Sequence, residues 1–209
     1  MPGSRPGWRA MANGSIEAAL LDIVEQLSRL QVPFALVGGL AVSIRAEVRF
    51  TRDVDVVVGV NDDARTEWLV RELRLVGYAP VTLVEQDDQR RIATVRLRSP
   101  SDVVVDLIGA TCGIESEIVA RASPVSLDGV GLVPVARSEE LLAMKVLSVT
   151  ERRPQDQIDA RSLLLSLGPG SIDEVTENLR LMTERGYSRG QDLASKLAIV
   201  AAAVRRDTE

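Results

Sequence analysis

Phe50-Thr51-Arg52-Asp53-Val54-Asp55-Val56-Val57-Val58 sits just downstream of Leu36-Val37-Gly38-Gly39-Leu40-Ala41, and these two stretches decide the reading of the chain. Residues i and i+2 of an extended strand face the same way, so Asp53 and Asp55 bring two carboxylates to one point. The valines around them make this an interior strand, and like charges side by side at its mouth repel. A hard divalent cation such as Mg²⁺ takes carboxylate oxygens and would relieve that repulsion. The pair therefore points to metal-assisted phosphoryl or nucleotidyl transfer. The ordinary alternative is a solvated strand end, but a carboxylate that opens a valine run lies against buried surface, where an unpaired charge is costly.

Asp106 extends the pattern. It interrupts the apolar run Val103-Val104-Val105-Asp106-Leu107-Ile108, so it needs either an arginine partner or a cation shared with Asp53 and Asp55. Three acids on neighbouring strands could hold two metal ions, one at the attacking oxygen and one at the leaving phosphate. Gly38-Gly39 falls between an apolar strand and a helix, where a turn can aim backbone N–H groups at phosphate. It is neither a GxGxxG fingerprint nor a Walker A loop. Lys145 is either a point charge for a triphosphate or a snorkelling surface residue. Arg49, Arg52, Arg90, Arg91, Arg96 and Arg98 are either solvated or a groove for phosphates.

Composition narrows the chemistry. The absence of histidine among 209 residues removes most zinc sites and every histidine-based acid–base scheme. One cysteine, Cys112, excludes an internal disulfide framework and fits a reducing cytoplasm. No apolar stretch approaches the ~20 residues of a membrane-spanning helix, so no membrane partner is expected. A formal net charge of -5 argues against non-specific coating of nucleic acid while leaving room for a local basic groove.

Residues 1–14, rich in Gly, Pro, Arg and Ser, read as a disordered lead. Apolar spacing predicts a helix over 15–29 with Ser15 as N-cap, a strand over 34–37, a helix over 40–46 and a strand over 53–58. A helix capped by Asn61 or Asp62 follows to Val76, with Trp68, Leu69, Leu73 and Val76 inward. Strands are expected over 79–84, 91–98 and 103–108, with a turn at Asp87-Asp88-Gln89 and a hairpin through Asp128-Gly129. Helices are expected from Ser138, over 156–167, from a capping box Ser171-Ile172-Asp173-Glu174, and over 191–205. The α+β part, 15–137, thus precedes a helical region, 138–209, packed on it.

A Gly-Gly doublet, a helix, then Asp-x-Asp opening a strand resembles the first motif of the DNA polymerase β-type nucleotidyltransferases. The segments 36–41 and 51–55 are similar to the AbiEii branch, which includes the MenT-type toxins of toxin–antitoxin systems. The resemblance covers roughly 34–164. It implies the minimal nucleotidyltransferase fold, a mixed sheet flanked by helices, and transfer of NMP from an NTP with Mg²⁺ or Mn²⁺. By it, Asp53, Asp55 and Asp106 are metal ligands, and with Lys145 they form the catalytic set. Gly38, Gly39, Ser43, Arg52, Lys145 and Asp156 bind the nucleotide. Gln155 stands where the family's later segment carries lysine, and Asp159 keeps that segment's spacing. The implied acceptor is the 3′ end of tRNA and the implied partner a cognate antitoxin. The alternatives are a small-molecule transferase acting on aminoglycoside-like acceptors, and a non-catalytic relative that binds nucleotide or protein.

Overall fold

A computed structural model describes residues 14–60, 62–86 and 90–207. Its centre is the segment quoted first. β1 (Phe34–Val37) runs into α2 (Gly38–Arg45) without an intervening loop, and β2 (Asp53–Val58) returns antiparallel to β1 with Val37 opposite Asp55. β5 (Val104–Ile108) lies parallel to β2 on its other side, with Asp106 opposite Asp55. β4 (Arg91–Arg98) then pairs antiparallel with β5, which sets Arg96 opposite Asp106. β3 (Ala79–Gln86), β6 (Ser123–Leu127) and β7 (Gly131–Val135) complete a seven-stranded mixed sheet in the order β3-β4-β5-β2-β1-β7-β6.

Period-two alternation sends Val54, Val56 and Val58 to one face of β2, and Asp53 and Asp55 to the other. All three valines are buried. α1 (Gly14–Arg29) packs against β2 and buries Ile16, Ala19, Leu20, Ile23 and Leu27 at helical spacing. Each buried leucine or isoleucine there contributes about 1.5–3 kcal/mol. α3 (Asp63–Leu75) packs on β3 and β4 and buries Leu69 and Leu73. The acidic face of β2 looks instead towards α2, α5 (Ser138–Ser148) and α6 (Pro154–Ser166). α7 (Ser171–Glu184) and α8 (Leu193–Asp207) close over α5, and one hydrophobic cluster runs from Ile16 through the sheet to Val200.

Several local expectations change. Met1 to Asn13 of the expected lead lie outside the described residues, and Gly14 already belongs to α1. The turn at Asp87-Asp88-Gln89 and Asn61 also lie outside them. Asp62, one of the two expected caps, is the N-cap of α3, its side chain accepting from the Arg65 N–H. Trp68 is half-buried under the Arg65 guanidinium, 3.6 Å from its ring centre, and Val76 is exposed. The capping box at Ser171 does not form. Gly170 is the N-cap of α7 in the left-handed region, and the Ser171 hydroxyl donates to Glu139 at 2.7 Å. A short helix, α4 (Glu115–Arg121), also appears between β5 and β6.

Candidate active site

Strand register alone brings the three acids together. One carboxylate oxygen from each of Asp53, Asp55 and Asp106 lies within 4.8 Å of the other two. Their surroundings differ. Burial pushes the Asp55 carboxyl up to about 7, and the charges of Asp53 and Asp106 push the same way, against Lys145 and the Gly39 backbone N–H. Asp53 accepts a hydrogen bond from the Thr51 hydroxyl at 2.8 Å. Asp106 is buried and takes a two-pronged bond from Arg96, Nε to Oδ1 at 2.9 Å and Nη2 to Oδ2 at 2.6 Å. Of the two partners weighed for Asp106, the arginine is present, and Asp106 also lies with Asp53 and Asp55 where a cation could be shared. Hard oxygen donors converging on one point, one of them held half-protonated near neutrality, fit a divalent cation.

The acids open into a cleft of about 770 Å³. Gly38 and Gly39 form part of its wall, and the first turn of α2 has no side-chain cap, since Val37 occupies the N-cap position. Of its leading N–H groups, that of Gly39 is given to the Asp55 carboxylate, and a helix start without a side-chain cap favours an anion. Lys145 enters from α5 and is held between two carboxylates of α6, Asp156 at 2.7 Å and Asp159 at 2.8 Å. Asp156 is thus an ion-pair partner, and α6 begins before it at Pro154. Asp159 also meets Arg49 at 2.8 Å and accepts from Gln155 at 2.9 Å. Burial opposes ionisation of Asp159, but Lys145, Gln155 and Arg49 hold its carboxyl below the usual range.

Two residues assigned to the nucleotide from the sequence are not among the side chains that line the cleft. The Ser43 hydroxyl is buried and shared with the Arg49 backbone, donating to O at 3.1 Å and accepting from N–H at 3.2 Å. Arg52 is exposed, with its guanidinium 5.7 Å from the centre of the Phe50 ring. The arginine groove also shifts. Arg91 pairs with Asp63 at 3.1 Å and Arg98 with Asp102 at 3.0 Å, whereas Arg49 and Arg96 line the cleft together with Arg153 and Arg189. Sequence reasoning missed Arg153, Arg189 and the Arg49–Asp159–Lys145 network. One signal was available for Asp159, since it lies three residues beyond Asp156 on the same helical face.

Fold and site define a nucleotidyltransferase. The chain belongs to the AbiEii family of nucleotidyl transferase toxins of type IV toxin–antitoxin systems, whose family model matches residues 20–207. Among solved structures it is similar to an antigenic nucleotidyltransferase-like protein from Paracoccidioides brasiliensis. That match has a TM-score of 0.55 and 20% identity, covering 90% of this chain and 94% of the other. The lincomycin-bound lincosamide antibiotic adenylyltransferase LnuA gives a TM-score of 0.48 and 16% identity, covering 72% of this chain and 98% of that one. A Thermotoga maritima CCA-adding enzyme complexed with tRNA gives 0.37 and 13%, covering 94% of this chain and 53% of that one. No curated protein matches the chain significantly in sequence.

Proposed function

We propose that the protein transfers a nucleoside monophosphate from an NTP to a hydroxyl at an RNA 3′ end, most specifically that of tRNA, with Mg²⁺ or Mn²⁺ held by Asp53, Asp55 and Asp106. The observation that carries this reading is the convergence of three carboxylate oxygens beside an uncapped helix N-terminus in one cleft. A divalent ion bound there supplies charge for the attacking oxygen and for the departing pyrophosphate. The chain's own groups do the rest. The N-terminal end of α2 attracts phosphate oxygens, and Lys145, fixed by Asp156 and Asp159, adds a point charge. The acceptor hydroxyl gives its proton to a carboxylate of the cluster, its oxygen bonds to the α-phosphorus, and the bond from that phosphorus to the bridging oxygen breaks as pyrophosphate leaves. A cognate antitoxin is the implied regulatory partner.

RNA is favoured over a cationic small molecule because arginines that line the cleft keep much of their surface in water. Arg153 is 67% exposed and Arg96 47% exposed in their side chains, so a polyamine-like acceptor would meet like charge. Incubation with labelled NTPs and either total RNA or a small-molecule panel, with Mg²⁺ or with chelator, tests the proposal. Label is expected on RNA and only with metal. Replacing Arg153 and Arg189 together by Ser is expected to flatten the salt dependence of RNA binding by about two in slope, since each neutralised phosphate releases counterion. Label on a small molecule, with no salt-dependent RNA binding, would move the assignment to that acceptor.

Lys145→Ala is expected to weaken NTP binding by about 1.5–3 kcal/mol, the worth of one charge-assisted contact. Arg at this position should rescue poorly, because a planar guanidinium does not fit between Asp156 and Asp159 as the ammonium does. A titration with a non-hydrolysable NTP analogue reads both variants. Unchanged affinity with a lowered melting temperature would leave Lys145 as a structural counter-ion only.

A further inference from the structure

The segment between α2 and β2 holds a large apolar surface out in water. Val48 is 61% and Phe50 60% exposed. The chain has two phenylalanines; Phe34 is buried, and among the described aromatic residues Phe50 alone is exposed. The exposure is not a matter of a loose segment. Glu47 N–H donates to the Ser162 hydroxyl of α6 at 3.0 Å, and the Ser43 hydroxyl bonds both backbone groups of Arg49. Arg49 in turn donates to the Phe50 carbonyl at 3.2 Å and to Asp159 at 3.0 Å. Thr51 is buried and bonded to Asp53. A backbone fixed at successive residues therefore presents one aromatic ring on purpose-built geometry, with the Arg52 guanidinium 5.7 Å from its centre.

Position gives this pair its meaning. Phe50 lies three residues ahead of Asp53, so the two Cα atoms are at most about 10 Å apart. Arg49, on the same segment, already lines the cleft. An aromatic face beside a cation is what single-stranded nucleic acid recognises, the ring stacking on a base and the charge meeting its backbone. We propose that Phe50 and Arg52 form the platform on which a base of a single-stranded RNA end stacks while its terminal hydroxyl lies at the carboxylates. This rests on the RNA-acceptor reading above, and it places Arg52 with the acceptor instead of the nucleotide. A protein partner fits less well, because the ring stands beside a guanidinium, on a segment whose Arg49 lines the cleft.

Anisotropy of a labelled single-stranded oligoribonucleotide, titrated with wild type, Phe50→Ala, Phe50→Trp and Arg52→Ser, tests the platform. Phe50→Ala is expected to weaken RNA binding about tenfold without changing its salt slope, and Phe50→Trp to restore it. Arg52→Ser is expected to lower that slope by about one. Affinity for a non-hydrolysable NTP analogue and the melting temperature should stay at wild-type values in Phe50→Ala. RNA affinity equal to wild type in Phe50→Ala overturns the platform, as does a parallel loss of NTP affinity. Wild-type protein that neither binds nor labels RNA overturns the acceptor reading itself; wild type that labels RNA beside an unimpaired Phe50→Ala overturns the platform alone.

Discussion

Asp55→Asn is expected to abolish nucleotidyl transfer and yet, without metal at about pH 8, to raise the melting temperature by roughly 5–15 °C. The two effects share a cause. Burial and the charges of Asp53 and Asp106 raise the Asp55 carboxyl to about 7 in the folded protein. An acid whose folded pKa lies above its unfolded one binds more protons in the native state over the interval between them. Its stabilising contribution is complete below about pH 4 and is lost as pH rises through about 7. The loss is on the order of 4 kcal/mol, converted at ~1.4 kcal/mol per unit. Asn keeps an oxygen for the Gly39 N–H but carries no charge, so its stability should stay flat over the same window.

The divalent ion supplies the complementary measurement. Mg²⁺ bound by the ionised acids should return to wild type at about pH 8 much of what deprotonation takes away, because a ligand that binds only the folded state stabilises it. It should do little for Asp55→Asn, whose cluster has lost one charged donor. Melting curves recorded from about pH 5 to pH 8, with chelator and with Mg²⁺, check both statements. Parallel pH profiles for wild type and variant in chelator would sink this account of the acidic cluster, and full transfer activity in the variant would sink its chemical role.

The centre of this fold was legible because two simple periodicities meet there. Phe34–Val37 and Asp53–Val58 are strands with the bounds read from their apolar runs, and Gly38-Gly39 does mark the strand-to-helix turn. Asp53 and Asp55 share a face for the same reason. What stayed hidden depends on pairings distant in sequence. No local pattern puts Arg96 opposite Asp106; the antiparallel register of β4 and β5 does. Nor does any motif announce that Arg49, on the segment before β2, would meet Asp159 of α6. α4 escaped because it is short, and because Glu115, in its first turn, is bonded to the backbone N–H of Cys112 at 2.7 Å instead of facing water. The capping box failed through competition: Glu139, from another helix, takes the Ser171 hydroxyl, and Gly170 can adopt the left-handed conformation that starts α7. Arg91 looked like part of a phosphate groove, yet Asp63, which sequence spacing does not relate to it, holds its guanidinium.

Gly38→Ala should damage the site more than any other single methyl group added to the turn. Gly38 has φ +63°, and a Cβ built there would lie 1.8 Å from Asp55 Oδ2 and 2.7 Å from Asp55 Cβ. The carboxylate oxygen could rotate away, but Cβ is fixed to the β2 backbone, so the turn and the strand must separate. Left-handed strain and overpacking together should cost about 2–5 kcal/mol. Separation would also pull the Gly39 N–H from Asp55 and displace the turn beside the acids, so transfer should fall by on the order of a hundredfold or more. Gly39 offers a graded comparison. Its added Cβ would meet the Arg49 Nη2 and Thr51 Oγ1 side-chain ends at 2.7 Å, which can give way more readily than a strand. Gly168, with nothing within 4 Å of its Cβ position, is the control, where Ala should be neutral or stabilise slightly. Chemical denaturation and single-turnover transfer on the three variants read out the order. Gly38→Ala with wild-type stability and rate would mean that the turn and Asp55 do not share the space the fold assigns them.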